Sequence, residues 1–254
     1  MSQGSVNTAI ENNIATITFE HPQSNSLPGA ILQQLADAIT SVGKNADAKV
    51  IVLQSAGEKT FCAGASFDEL ISINDFETGK KFFSGFANVI NAMRQAPKFV
   101  IARLQGKAVG GGVGLACAAD YTLATSSSQV KLSELAVGIG PFVVGPAVER
   151  KIGTAAFCEL AINATEWRDA AWAQQKGMYT QVFETIAQMD TELQALSKRL
   201  SQSNPEAMMM LKKIFWQNTD HWNTLLIERA AMSGQLVLSD FTRNAIAKFK
   251  GGAR

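Results

Sequence analysis

The stretch Phe99-Val100-Ile101-Ala102-Arg103-Leu104, followed by Gly110-Gly111-Gly112-Val113-Gly114-Leu115-Ala116-Cys117-Ala118-Ala119 and then Tyr121-Thr122-Leu123-Ala124, decides how this chain folds. Its first six residues are apolar enough for an inner strand. A helix rich in small residues is predicted over 112–119, and 121–124 is again a strand. Working outward, the same order recurs. Lys49 to Gln54 reads as a buried strand. Phe82, Phe83, Phe86, Val89, Ile90 and Met93 share one helical face, which Pro97 ends. Further upstream, Leu27 to Val42 carries the stripe Ile31, Leu32, Leu35, Ile39 and Val42. Ser5 to Ile10 and Ile14 to Glu20 read as a hairpin about Asn12-Asn13. The pattern predicts an α/β fold, a layered core of repeated short β-β-α units with the chemistry on loops at strand ends. From Asp190 the pattern is helical, with Asn204-Pro205-Glu206 as a start signal and a second periodic stretch through Trp222, Leu225, Leu226, Leu236 and Val237. A border near 195 therefore divides a core, 1–195, from a helical region, 196–254.

Composition narrows the function classes. The 254 residues are 46% hydrophobic and 18% charged, enough apolar material for a large core. The charged fraction falls below the usual ~25%, which points to surface covered by copies of the chain. With 23 Lys+Arg against 22 Asp+Glu and no basic run, the footprint of a nucleic-acid binder is missing. Met1 to Asn7 lacks a basic region followed by an apolar one, so no secretory signal is expected. Phe99 to Ala119 is broken by Arg103, Gln105 and Lys107, so no membrane span is expected either. Three widely spaced cysteines, Cys62, Cys117 and Cys158, with only two histidines, fit a reducing cytoplasm and no metal site.

Three segments carry candidate chemistry. Phe61-Cys62-Ala63-Gly64-Ala65-Ser66-Phe67 precedes a helix start at Phe67-Asp68-Glu69-Leu70. Its small residues let a ligand approach the main chain and leave the Ala65 N–H free for a developing negative charge. A tight turn of small residues is the plainer account of that segment alone. The glycine triplet permits a strained backbone with the Gly111 N–H turned into a cavity. It matches neither the dinucleotide fingerprint nor a Walker loop. In Val130 to Val144, Glu134 is the single carboxylate among largely apolar neighbours. Burial would raise its pKa into the range of a general acid or base, while a helix-cap or ion-paired role is the alternative.

Taken together in this order, with His21-Pro22, Asn25-Ser26-Leu27 and Asp120, the three segments resemble the crotonase superfamily, the enoyl-CoA hydratase and isomerase family. The resemblance covers essentially the whole chain. It implies a crotonase-like spiral of β-β-α units with a C-terminal helical trimerisation region, assembled as a homotrimer or dimer of trimers. The implied substrate is an acyl-CoA thioester, with no separate cofactor. Its carbonyl oxygen would lie between the N–H groups of Ala65 and Gly111. Ala63, Phe67, Leu70, Gly110, Pro141 and Phe142 would contact the substrate. Lys248 and Lys250 are candidates for the CoA phosphates, with a solvated face as the plainer account.

The acid-base carry-over is partial. Typical hydratases of the family place one glutamate two residues after the triplet, where this chain has Gly114, and another at the position of Glu134. Related dienoyl-CoA isomerases place an aspartate where this chain has Phe142. Glu134 alone remains. It can serve addition of water to a short or branched 2-enoyl-CoA, or a proton shift from C2 to C4 as in Δ3,Δ2-enoyl-CoA isomerases; a catalytically idle acyl-CoA-binding protein is the third reading. Local similarity to bacterial methylglutaconyl-CoA hydratases of leucine breakdown suggests 3-methylglutaconyl-CoA as one substrate. Phe142-Val143-Val144 predicts a narrow pocket beside Glu134. His21, His221, Met208-Met209-Met210 and Cys62 read as structural.

Overall fold

The computed structural model describes residues 4–252, with side chains described through Lys248. The chain opens with a hairpin, β1 (Ser5–Glu11) and β2 (Ile14–Glu20), paired antiparallel. Its turn residues Asn12 and Asn13 have φ of 52° and 64°, the left-handed pair that a tight hairpin needs and that asparagine tolerates. β2 alternates buried Ala15, Ile17 and Phe19 with threonines. Helix α1 (Gly29–Lys44) starts two residues later than the apolar stripe suggests, because Pro28 keeps Leu27 extended and Leu27 bridges to Ala65.

The spiral then shows itself strand by strand. β3 (Val50–Ser55) is followed by β4 (Thr60–Cys62) and by helices α2 (Phe67–Ser72) and α3 (Phe76–Gln95). β5 (Val100–Leu104) is followed by β6 (Lys107–Val109) and α4 (Gly111–Ala118). β7 (Tyr121–Thr125) is followed by β8 (Gln129–Lys131), a 3-10 turn at Leu135–Val137 and helix α5 (Gly145–Ile162). The first strand of each unit joins one sheet and the second joins another. Among the described residues the large sheet has the order β1-β2-β3-β5-β7-β10, where β10 is Gln181–Phe183. The small sheet has the order β4-β6-β8-β9, where β9 is Arg168–Asp169. Apart from β1 and β9, all pairings are parallel. This is the expected β-β-α spiral. Its short second strands, three residues each, carry too little pattern to have been foreseen.

After β9 come α6 (Ala170–Gln175) and then α7 (Ile186–Ser201), which covers the outer face of the large sheet with Met189 and Leu193 against Val50, Val52, Ile101 and Leu123. The expected border at 195 falls inside α7, so the helical region starts at Ile186 without a break there. Helices α8 (Pro205–Phe215), α9 (Trp222–Leu236) and α10 (Asp240–Gly252) follow. Asn204 caps α8 by accepting from the Glu206 and Ala207 amides, as its Asn-Pro-Glu start requires. The tail packs on its own core. α9 lies against α3 closely enough that a Cβ on Gly79 would sit 3.0 Å from Gly234 Cα. Lys212 of α8 reaches Asp120 at 2.5 Å and the Met93 carbonyl at 2.8 Å.

No helix among the described residues is long and apolar enough to cross a membrane. No group of three His, Cys, Asp or Glu among them is placed to hold a metal ion.

Candidate active site

The small sheet explains why three distant segments meet. β4, β6 and β8 are parallel neighbours, so their C-terminal ends lie side by side, where open α/β sheets place their ligands. Out of those ends run Ala63-Gly64-Ala65, Gly110-Gly111 and Ser133-Glu134. All of these residues line one cavity of about 70 Å³.

The first bend is held by the entry loop. Leu27 N–H donates to the Gly64 carbonyl at 2.8 Å, Ser66 N–H donates to Leu27, and the Asn25 amide donates to the Ala56 and Thr60 carbonyls. Gly64 has φ of 87°, and a Cβ there would fall 2.9 Å from the Val109 carbonyl oxygen and 3.7 Å from Gly111 N. The two bends therefore touch across a position that only glycine can occupy. Gly111 opens α4, and a Cβ on it would lie 2.1 Å from the Phe86 ring. Neither the Ala65 nor the Gly111 N–H donates to an acceptor among the described residues. Two unpaired amides on one cavity wall, the second at a helix N-terminus, are suited to a developing oxyanion.

Glu134 stands beside them. Its Oε1 lies 2.9 Å from where a Cβ of Gly110 would be, and its Oε2 is sealed from solvent with no hydrogen-bond partner. Burial pushes its carboxyl up to about 7, opposed only by a hydrogen bond from its own backbone amide. It is the one carboxylate lining this cavity among the described residues. A carboxyl that titrates near neutrality can take and return a proton in one cycle.

The remaining expected contacts divide. Ala63, Phe67 and Leu70 line the same cavity, as do Pro141 and Phe142. Lys248 is exposed on α10 and is not part of the lining, and the Lys250 side chain lies outside the described residues. At the place of the missing second glutamate, a Cβ on Gly114 would sit 2.5 Å from Val144 Cγ1. Val144 fills the space that a longer side chain at 114 would need. Cys62 is buried against Gly112, and burial pushes its thiol up to about 12, which makes it inert.

Sequence reasoning missed Phe83 and Phe86, which it read only as the core face of a helix, and Ser233, which it assigned to an oligomerisation tail; all three line the cavity. The close fit of Phe86 to a glycine was not readable from spacing. α10 also reaches this region: Phe241 and Thr242 press on Gly138, within 2.5 and 2.6 Å of a Cβ there.

The family model for enoyl-CoA hydratase/isomerase matches residues 9–250. The chain belongs to this family, within the crotonase superfamily. A short-chain-enoyl-CoA hydratase of Clostridium acetobutylicum is 28% identical over 205 residues, covering 80% of this chain and 77% of that protein. The mitochondrial methylglutaconyl-CoA hydratase of Rattus norvegicus is 29% identical over 229 residues, covering 88% and 72%. Among solved structures, an enoyl-CoA hydratase from Bacillus halodurans superposes with a TM-score of 0.89 at 19% identity, covering 96% of this chain and 99% of that one. That likeness confirms the spiral fold.

Proposed function

We propose that this family member hydrates a short or branched 2-enoyl-CoA with Glu134 as its sole acid and base. The observation that carries the reading is the buried Glu134 carboxyl, its Oε2 without a partner, beside two unpaired amides in an apolar cavity. The thioester carbonyl oxygen accepts from the Ala65 and Gly111 N–H groups, which stabilise the enolate. Glu134 takes a proton from water while the water oxygen adds to C3. The electron pair moves to the thioester oxygen, and the same carboxyl returns the proton to C2. Loss of one oxyanion donor typically costs about 10²–10³ in rate, so the amides carry a large share of the work. The apolar α8 residues Met210, Leu211, Ile214 and Phe215, all exposed, support assembly into a homotrimer or dimer of trimers.

One observation favours a second reading. With Val144 filling the space beside Gly114, no other acid among the described residues lines the cavity to hold the attacking water, and a proton shift from C2 to C4 needs only one base. Wild type and Glu134→Gln assayed on crotonyl-CoA and on a 3-enoyl-CoA separate the two. Hydration of crotonyl-CoA abolished by the substitution supports the first. Turnover of the 3-enoyl-CoA alone selects the isomerase. Binding of both without turnover by wild type leaves an acyl-CoA-binding role. For either reaction, kcat/KM falls as pH drops below about 7, because Glu134 becomes protonated and can no longer act as base.

A further inference from the structure

The walls of the Glu134 cavity carry no lysine, arginine or histidine among the described residues, and besides Glu134 their only polar side chains are Ser133 and Ser233. The lysines on the strands that lead into the site are turned elsewhere. Lys107 and Lys131 lie over the Trp167 ring, 5.0 and 4.4 Å from its centre, and neither lines the cavity. Lys212 is committed to Asp120.

The far wall is hydrocarbon and close. The Phe142 amide donates to the Gly140 carbonyl at 2.7 Å, and its ring lies over Gly140, 2.3 Å from where a Cβ would be. Val144 closes the wall at Gly114. At about 70 Å³ the cavity has roughly half the volume of an engineered protein cavity of about 150 Å³ that takes up benzene.

We propose that this pocket selects uncharged acyl groups of about four or five carbons and rejects acyl groups that end in a carboxylate. The proposal rests on the reading of this cavity as the acyl-CoA site and names its substrate class. A terminal carboxylate would enter an apolar enclosure that already holds the Glu134 carboxyl, with like charge nearby and no counter-ion among the described residues to offset its desolvation. An uncharged methyl or branched end meets only hydrocarbon. The chain would then differ in specificity from the methylglutaconyl-CoA hydratase that it resembles in sequence, whose named substrate carries a free carboxylate.

The test pairs turnover with binding on the purified full-length protein. kcat/KM is measured for crotonyl-CoA, 3-methylcrotonyl-CoA and 3-methylglutaconyl-CoA, and calorimetry gives Kd for the saturated pair butyryl-CoA and glutaryl-CoA. The expected preference for the uncharged member is on the order of 100-fold in both readouts. A preference below tenfold in binding overturns the proposal, and means that a cation reaches the pocket, as from a neighbouring copy. Tighter binding of butyryl-CoA with no turnover of any thioester removes the proposed catalysis while the selectivity stands. Failure of both saturated ligands to bind removes both.

Discussion

Asp120 and Glu134 are two carboxylates withdrawn from water on adjoining parts of the spiral, and their surroundings treat them in opposite ways. Asp120 accepts from the Val100 amide at 2.7 Å, from Lys212 Nζ at 2.5 Å and from the Trp216 indole N–H at 2.8 Å. Each of these three bonds ties the helical tail or a strand to the turn that follows α4. Lys212 itself is desolvated, which lowers its pKa, and Asp120 works against that shift by holding it charged. Glu134 has an oxygen with no partner and a pKa raised by burial alone. A buried carboxylate whose partners are all present holds structure together. One left without them is poised to exchange a proton.

The widest contrast is kinetic. Glu134→Gln is expected to lower kcat by about 10²–10⁴ with the fold intact, measured as turnover alongside the circular dichroism spectrum. Loss of less than tenfold would remove Glu134 from the chemistry. The matching change at the other carboxylate, Asp120→Ala, is expected to destabilise by about 3–5 kcal/mol, because it leaves the Lys212 ammonium buried without its counter-charge. Urea unfolding checks it, and activity per folded molecule should be unchanged.

A third expectation sharpens the comparison through pH. The Glu134 carboxyl is neutral in both folded and unfolded chains below its ordinary value of 4.5. It is ionised in both above about 7, and there the folded state bears the cost of its burial. Glu134→Gln should therefore be more stable than wild type by about 3 kcal/mol at pH 8, with the advantage fading as pH falls toward 4.5. Equal Tm shifts at pH 8 and pH 5 would break the assignment of a desolvated carboxyl with a raised pKa. The smallest effect concerns the wall opposite. Gly114→Ala should cost about 1–3 kcal/mol by overpacking against Val144, and Val144→Ala in the same chain should recover it. Simple addition of the two single effects would show that the contact is not tight.

Much of the spiral was legible because its longer elements carry strong periodicity. The Ile31 to Val42 stripe, the Phe82 to Met93 face and the Val100 to Leu104 strand all stand near where their patterns place them. α3 begins earlier than its apolar face, at Phe76, because a first turn capped by Asp75 with one apolar side chain, Phe76, has no periodic signature of its own. The three-residue strands of the small sheet were invisible for a related reason. Their stability comes from parallel neighbours supplied by other turns of the spiral, not from their own residues. The eight residues expected around Glu134 do share one cavity with it, since small residues and glycines at strand ends are a local signal. The border expected near 195 falls inside α7, which runs unbroken from Ile186 to Ser201.

By itself the sequence determined the alternation of strands and helices, the glycine-lined bends and the presence of one carboxyl among apolar neighbours, because each follows from the properties of residues close together in the chain. Only the tertiary structure decided that Oε2 of Glu134 has no partner, that the Asp120 carboxylate has three, that Val144 occupies the space beside Gly114, and that no cation among the described residues lines the cavity. Those are properties of distance between segments remote in the chain. Desolvation and hydrogen bonding depend on what stands within a few ångströms, which the order of residues does not record.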